Sequence, residues 1–441
     1  MTTVVLDSGV RRYRDGRVLL GGSPTRLLRL GERGVRQVER WLAGMPVGND
    51  AGERALAQRL IDAGIVHPVA GPGPTTADDV SLVVPVKDNP RGVARLLTVA
   101  GEFAEKIVVD DGSAIPVMDA RIRHSVPRGP AAARNSGLRC ADTPLIAFLD
   151  SDTIPEPGWL ASVLPLFDDP RVAAVAPRIR SLPHGPLGRY EVDHGSLDMG
   201  PNPAVVRAGG RVRYVPSTAL VVRRDVLLAV GGFDESLRFG EDVDLIWRLI
   251  ESGNVVRYQP DSTVWHEPRE TVGAWLRQRF DYGTSAAPLS LRHRGQLACA
   301  VLSRPQAAQA LLVTARRPAT AAAVVTVASG SLAQQLHRRG VPPGTALALA
   351  GGAQLAAIKQ LADAARRVWW PLLLCTRRGR AVFAAALAPI AVECIRNAHG
   401  PRWAALRLAD DLAYALGVWA GCARHRTVAP LLPQLRSGSK Q

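Results

Sequence analysis

Three short apolar runs set the fold of this chain: Ser81-Leu82-Val83-Val84-Pro85-Val86, Lys106-Ile107-Val108-Val109 and Leu145-Ile146-Ala147-Phe148-Leu149. They are too short for buried helices and too continuously apolar for half-exposed strands, as expected of parallel strands covered on both faces. Helical stretches lie between them. Residues 80–286 are therefore expected to form an α/β domain built on a doubly wound, mostly parallel sheet. Such sheets bind ligands beyond the carboxyl ends of their strands, and the polar motifs of this chain fall there.

The flanking regions differ in character. Residues 1–70 predict a small domain: a strand and turn at Arg17–Gly22, helices over Leu27–Leu42 and Glu53–Ala63, and a return strand at Gly64–Val66. That order suggests a winged helix, and Gly71-Pro72-Gly73-Pro74 is a linker. Residues 287–441 are Ala- and Leu-rich and helical in pattern. The net charge of +16 belongs to this last region, which holds 20 Lys/Arg against four acids, whereas the first 286 residues are balanced. A basic, apolar-interleaved surface suits anionic lipid better than nucleic acid. A nucleic-acid role for the winged helix is further weakened because the charge lies at the other end of the chain.

Pro318–Leu336 and Gly340–Ile358 are uncharged and long enough to span a bilayer. Both contain Gly, Ser, Thr or Gln and are flanked by arginines, so a spanning hairpin would leave an arginine pair outside, against the positive-inside bias. Helices packed together or lying on a membrane surface fit better, with an ordinary helical subdomain as the alternative. The five cysteines form no C-x-x-C pair, and no charged-then-apolar leader opens the chain. Both features point to the cytoplasm, with the inner face of the membrane as a further possibility.

The chemistry lies at the strand ends. Asp150-Ser151-Asp152 follows the third run, and residues two apart on an extended chain face the same side. Asp110-Asp111-Gly112-Ser113 ends the second run, where a simple turn is the alternative. Gly129-Pro130-Ala131-Ala132-Ala133-Arg134-Asn135 opens a helix with small residues that let backbone approach a phosphate; close helix packing explains them equally. Glu241, Asp242 and Asp244 crowd another helix N-terminus, and capping does not require all three. His266 follows a further extended run in Val264-Trp265-His266-Glu267 and reads as a ligand or as a buried structural histidine.

In order, Val-Val-Pro-Val-Lys-Asp-Asn (83–89), Val-Asp-Asp-Gly-Ser (109–113), Ala-Arg-Asn-x-Gly (133–137), Leu-Asp-Ser-Asp (149–152) and Gly-Glu-Asp-x-Asp-Leu (240–245) resemble the family 2 inverting glycosyltransferases of GT-A fold. The resemblance implies a UDP-sugar donor held by Pro85, Val86, Asp88, Asp111, Arg134, Asn135 and Asp150, with Val86 and Asp111 at the uracil and Asp150 near the ribose. It implies Mn or Mg at Asp152, assisted by Asp150 and His266, and a catalytic pair in which Asp242, beside Glu241, deprotonates the acceptor. Processive relatives carry Q-x-x-R-W; Leu276-Arg277-Gln278-Arg279-Phe280 keeps only the arginine, so processivity is in doubt while Arg279 can still meet the diphosphate. The N-terminal region, Arg-Tyr-Glu-x-x-x-Gly-Ser-Leu-Asp (189–198), Phe-Asp-Tyr-Gly-Thr-Ser-Ala-Ala (280–287) and the Arg/Ala-rich tail are similar to the glycosyltransferases of mycofactocin systems. That likeness implies glucose from UDP-glucose, β-linked to a small peptide-derived redox cofactor precursor. It also implies a peptide or maturation-system protein as a partner of the N-terminal domain, for which a purely structural role is the alternative. Other open readings are a lipid or cell-envelope glycan acceptor and a non-catalytic nucleotide-sugar scaffold.

Overall fold

The computed structural model describes residues 2–69, 71 and 73–435. Ala70 and Pro72 at the expected domain boundary, and 436–441 at the end of the basic region, lie outside them. The chain divides into two compact units, Met1–Glu270 and Thr271–Gln441.

The first unit opens with β1 (Thr3–Leu6), β2 (Arg11–Tyr13), β3 (Val18–Gly21), β4 (Arg26–Arg29), α1 (Glu32–Leu42), α2 (Ala51–Asp62) and β5 (Val66–Val69). β2, β3 and β4 form an antiparallel meander and β1 pairs with β5. Leu27 and Leu28, expected to begin a helix, instead pair with Leu20 and Leu19 as β4. Extended backbone at Gly31 ends that strand and caps α1; a Leu-rich segment fits both periodicities, and here the pairing with buried β3 wins. α2 begins at Ala51 because Asp50 accepts from the Glu53 amide, an N-cap arrangement.

This module is bound to the rest of the unit by more than its chain connection. Asp7 Oδ2, buried, accepts from Arg211 Nη2 at 2.7 Å and lies 2.8 Å from His67 Nε2. The Arg211 amide donates to Ser23 Oγ at 2.6 Å, and Arg171 reaches Asp62 at 3.4 Å.

The α/β part follows as β6 (Val80–Val86), α3 (Pro90–Val99), β7 (Glu105–Asp110), β8 (Ile122–Arg123), α4 (Pro130–Cys140), β9 (Leu145–Leu149), β10 (Thr153–Pro155), β11 (Val172–Ser181), α5 (Gly185–His194), β12 (Ala204–Val205), β13 (Ala219–Arg223), α6 (Arg224–Ala229), α7 (Glu241–Glu251) and β14 (Val255–His266). The three apolar runs are β6, β7 and β9, and every residue of β6 and β9 is buried. The sheet runs β10-β14-β11-β13-β9-β6-β7-β8, with β12 on β14. β9, β6, β7 and β8 are parallel, as are β11 and β14, while β13 runs antiparallel between the two sets. The expected GT-A-like, mostly parallel sheet is present, with β13 reversed inside it and β10 and β12 antiparallel on β14. Its core includes Leu82, Val84, Val93, Leu96, Ala147, Val163 and Val175.

The second unit is helical: α8 (Val272–Thr284), α9 (Ala286–Arg292), α10 (Arg304–Thr314), α11 (Pro318–Arg338), α12 (Pro343–Ala364), α13 (Trp370–Leu373), α14 (Arg377–Ala386), α15 (Ala388–Arg396) and α16 (Pro401–His425), with β15 (Val301–Leu302) pairing β16 (Gln434–Leu435). The expected boundary at 286 moves to 270 because α8 belongs with the tail. It crosses α16 so closely that a Cβ on Gly417 would lie 1.9 Å from Phe280 O, and one on Gly283 2.1 Å from Tyr414 O. Among the described residues, no helix is long and apolar enough to cross a membrane.

Candidate active site

Three motifs far apart in sequence converge on one guanidinium. Arg134, in the first turns of α4, is 3% exposed. Its Nη2 donates to Asp150 Oδ1 at 2.7 Å and its Nη1 to Glu241 Oε1 at 3.1 Å. The Phe233 ring lies 5.4 Å from its Cζ. Burial alone would lower its pKa, but Asp150 and Glu241 raise it, so the cation is permanent. Arg134, expected to face the donor, thus holds a strand-end carboxylate and a helix-start carboxylate at a fixed separation. Asp150, expected at both ribose and metal, has one oxygen committed to it.

Asn135 is likewise turned to the protein. Its Nδ2 donates to Phe233 O at 2.8 Å and Glu235 Oε1 at 3.0 Å, while its Oδ1 accepts from the Phe233 amide at 2.9 Å. The amide therefore pins the loop leading into α7. Gly232 permits this approach: its φ is +69°, and a Cβ there would meet Asn135 Oδ1 at 2.6 Å.

At the ends of β6 and β7, Pro85 and Val86 are buried and the Val86 carbonyl accepts from the Asp111 amide at 2.8 Å. The Asp111 carboxylate accepts from His124 Nδ1 (2.7 Å) and the Arg128 and Gly129 amides (both 2.8 Å). It thereby ties the end of β7 to the start of α4. Asp110 is buried beneath it, accepting from the Ser113 amide and Arg123 Nη1. Asp88 is exposed, has φ +55°, accepts from the Ala114 amide at 2.8 Å and pairs with Lys87. Of these, Asp110 belongs to the expected strand-end motif but was given no role of its own, and His124 is a supporting residue that carries no motif signal.

Asn89 caps α3 through Gly92 and donates to Ser151 at 3.3 Å; Asn before Pro90 was a legible cap signal. A Cβ on Gly92 would lie 2.2 Å from Ser151 O. Gly92→Ala is expected to destabilise the fold by about 1–3 kcal/mol through overpacking, read from urea unfolding. Gly273→Ala, where a Cβ meets nothing within 4 Å, should show no such loss.

Asp152 and His266 come together because β10 pairs antiparallel with the end of β14. His266 Nε2 lies 3.4 Å and Arg269 Nη1 3.7 Å from Asp152 Oδ2. Burial would raise the Asp152 carboxyl, but His266 and Arg269 outweigh it and bring it down to about 2. Burial opposes the His266 imidazolium, yet Asp152 raises its pKa overall. The His266 Nδ1 is buried without a hydrogen-bond partner. Among the described residues no group of three or more His, Cys, Asp or Glu side chains is gathered as a metal cage. One carboxylate and one imidazole nevertheless suit a divalent cation whose other ligands are phosphate and water oxygens.

At the start of α7, Gly240 (φ +79°) turns the chain, Glu241 is buried and Asp242 is partly exposed. Burial and the Asp242 charge push the Glu241 carboxyl up to about 7. Burial also raises Asp242, whose Oδ1 accepts from the Val243 amide at 2.7 Å. Asp244 pairs with Arg248 at 2.7 Å, and Arg248 also donates to the Val230 and Gly232 carbonyls. Asp244 is structural. Arg279 lies in the second unit, buried, its Nε 3.6 Å from Asp410 Oδ1 and its guanidinium beside the Trp275 ring. Asp410 thus meets a charge that was expected at the diphosphate.

The family profile for glycosyl transferase family 2 matches residues 81–227. A pre-mycofactocin glycosyltransferase of Mycobacterium tuberculosis (strain H37Rv) is 40% identical over 466 aligned positions, covering 98% of this chain and 98% of that protein. The chain belongs to glycosyltransferase family 2. As a member of that family it carries the matched segment from β6 into α6, which includes Asp111, Arg134, Asp150 and Asp152. Glu241, Asp242 and His266 lie beyond that segment, within the full-length likeness. The succinoglycan biosynthesis protein ExoU of Rhizobium meliloti (strain 1021) is 29% identical over 197 residues, 40% of this chain and 58% of that protein. A mannosyltransferase from Pyrobaculum calidifontis, solved with GDP-Man and Mn2+, covers 82% of this chain and 92% of its own at 18% identity and a TM-score of 0.44. That likeness is too distant to assign any residue.

Proposed function

We propose that this family 2 glycosyltransferase moves a hexose, glucose from UDP-glucose, onto a peptide-derived redox cofactor precursor in mycofactocin biosynthesis, with inversion to a β linkage. The full-length likeness to a pre-mycofactocin glycosyltransferase supports the acceptor. The carboxylates gathered at the strand ends support the chemistry. Asp242, partly exposed beside buried Glu241, takes the acceptor proton, and the hydroxyl then displaces the nucleoside diphosphate in one step. Asp111 and the β6 end line the base-binding side, with Asp150, set by Arg134, next to the ribose. Mn or Mg would be held by Asp152 and His266, where its charge would offset that of the departing diphosphate. The N-terminal module would receive a peptide or a maturation-system protein, by strand addition at a sheet edge. We place the protein in the cytoplasm, with its basic helical unit at the inner face of the membrane.

The deciding measurement is incubation of the purified chain with individual UDP-sugars and the peptide-derived acceptor, followed by mass detection. Gains of one or more hexoses with UDP-glucose support the reading; no gain with any UDP-sugar refutes it. In the same assay, Asp152→Asn is expected to lower transfer at least about tenfold and to raise the Mn or Mg concentration needed. Unchanged, metal-independent transfer would remove the metal assignment. A lipid or cell-envelope glycan is the second acceptor reading, favoured by the exposed apolar side chains of α12, and a lipid-linked product in that assay would select it.

A further inference from the structure

We propose that the outward faces of α11 and α12 dock this chain on an anionic lipid surface. The proposal rests on the membrane-facing reading above and names the surface responsible. On α12, Leu347, Gly351, Leu355 and Ile358 follow one another at helical spacing and form one stripe. Leu347, Leu355 and Ile358 are 62%, 69% and 51% exposed, whereas Ala346, Ala350 and Ala357 on the other side are buried. α11 is 21 residues long and buries only Ala321. Short connections make α11 and α12 an antiparallel hairpin, consistent with Gln354 Nε2 lying 3.5 Å from Ser329 Oγ at its middle. Soluble helices normally bury their largest apolar side chains; this pair presents them to the outside.

The surrounding charge identifies the occupant. Arg316, Arg317, Arg338, Arg339 and Lys359 are all exposed, and no Asp or Glu occurs from Tyr282 to Ala362. Apolar side chains framed by cations, with no carboxylate among them, match an interfacial helix that buries its apolar side in the acyl boundary and sets its cations among anionic headgroups. A second copy of this chain would bring two strongly positive faces together, which charge repulsion opposes. Nucleic acid would satisfy the cations and leave the leucine stripe in water. Neither helix is long and apolar enough to cross a bilayer, so the contact is peripheral.

The test is flotation of the full chain with vesicles of phosphatidylcholine alone and of equimolar phosphatidylcholine and phosphatidylglycerol. Binding is expected to the mixed vesicles, to fall with added salt, and to be slight on phosphatidylcholine. The Leu347→Gln/Leu355→Gln/Ile358→Gln triple variant and the Arg338→Gln/Arg339→Gln double variant should each bind about tenfold or more weakly. All these side chains are exposed, and an unchanged circular dichroism melt confirms that each variant is folded. If the wild type binds the mixed vesicles and both folded variants bind equally well, the surface assignment is wrong while the membrane reading stands. No binding to mixed vesicles, or equal binding to both kinds, overturns the two together. A wild-type dimer that the leucine variant dissociates would assign the stripe to a second copy and overturn the proposal.

Discussion

Asp242→Asn should lower hexosyl transfer about 10²–10⁴-fold while leaving UDP-glucose affinity, measured by calorimetry, within a few-fold of wild type. The amide keeps the shape and the hydrogen bond to the Val243 amide but cannot accept the acceptor's proton. Full activity in this variant would remove the base assignment. The pH profile supplies an independent check. Burial raises Asp242 above the ordinary carboxylate range, so activity is lost as pH falls through that raised value, not near 4. Glu241 and Asp242 repel each other, and the pair titrates as a unit. The Asp242 charge raises Glu241, so Glu241 is already neutral where Asp242 takes up its proton, and replacing Glu241 by Gln should leave the acidic limb of kcat/KM in place. The raised Glu241 value has a stability consequence. A carboxyl raised from 4.5 to about 7 favours the folded state fully below its free value. That advantage disappears as pH rises through 7, so Glu241→Gln should gain in relative stability on the alkaline side.

Arg134→Met is expected to cost about 3–5 kcal/mol of stability, because it leaves Asp150 and Glu241 facing each other without the buried cation between them. Urea unfolding at neutral pH measures it. The loss should shrink under mildly acidic conditions, where Glu241 takes up a proton and half of the uncompensated charge vanishes. A loss below about 1 kcal/mol, the range of exposed ion pairs, would mean that the guanidinium does not organise the site. Arg134→Lys should recover only part of the stability, since one ammonium cannot span two carboxylates as the forked guanidinium does.

The fold of the α/β part was legible because burial on both faces leaves a direct trace: β6, β7 and β9 read as apolar runs, and the motifs had to sit at their carboxyl ends. The N-terminal module was less legible. Leu27 and Leu28 suit a helix as well as a strand, and only pairing with β3 decides. That α8 groups with the helical tail was not legible, because the glycines that let α8 and α16 touch lie more than a hundred residues apart, at Gly283 and Gly417. Within the site, the partners of the expected residues were not legible. Arg134 and Asn135 were legible as a polar pair after small residues, which suggested a ligand. That they turn inward, to Asp150, Glu241 and the Phe233 loop, depends on contacts across 16 to about 107 positions. His124 had no signal at all, being one imidazole whose position is set by the Asp111 carboxylate.

The contacts of Asp7 with Arg211, and of Ser23 with the Arg211 amide, bear on how the first 69 residues operate. A Gly/Pro linker alone would make them a tethered arm, sampling many orientations and raising only the local concentration of whatever they hold. Docked through buried charge, they act instead as a fixed jig. If these residues receive a polypeptide, as proposed above, it would meet the α/β part from one direction and at one distance, so its length past the capture point would determine which of its residues could reach the proposed base.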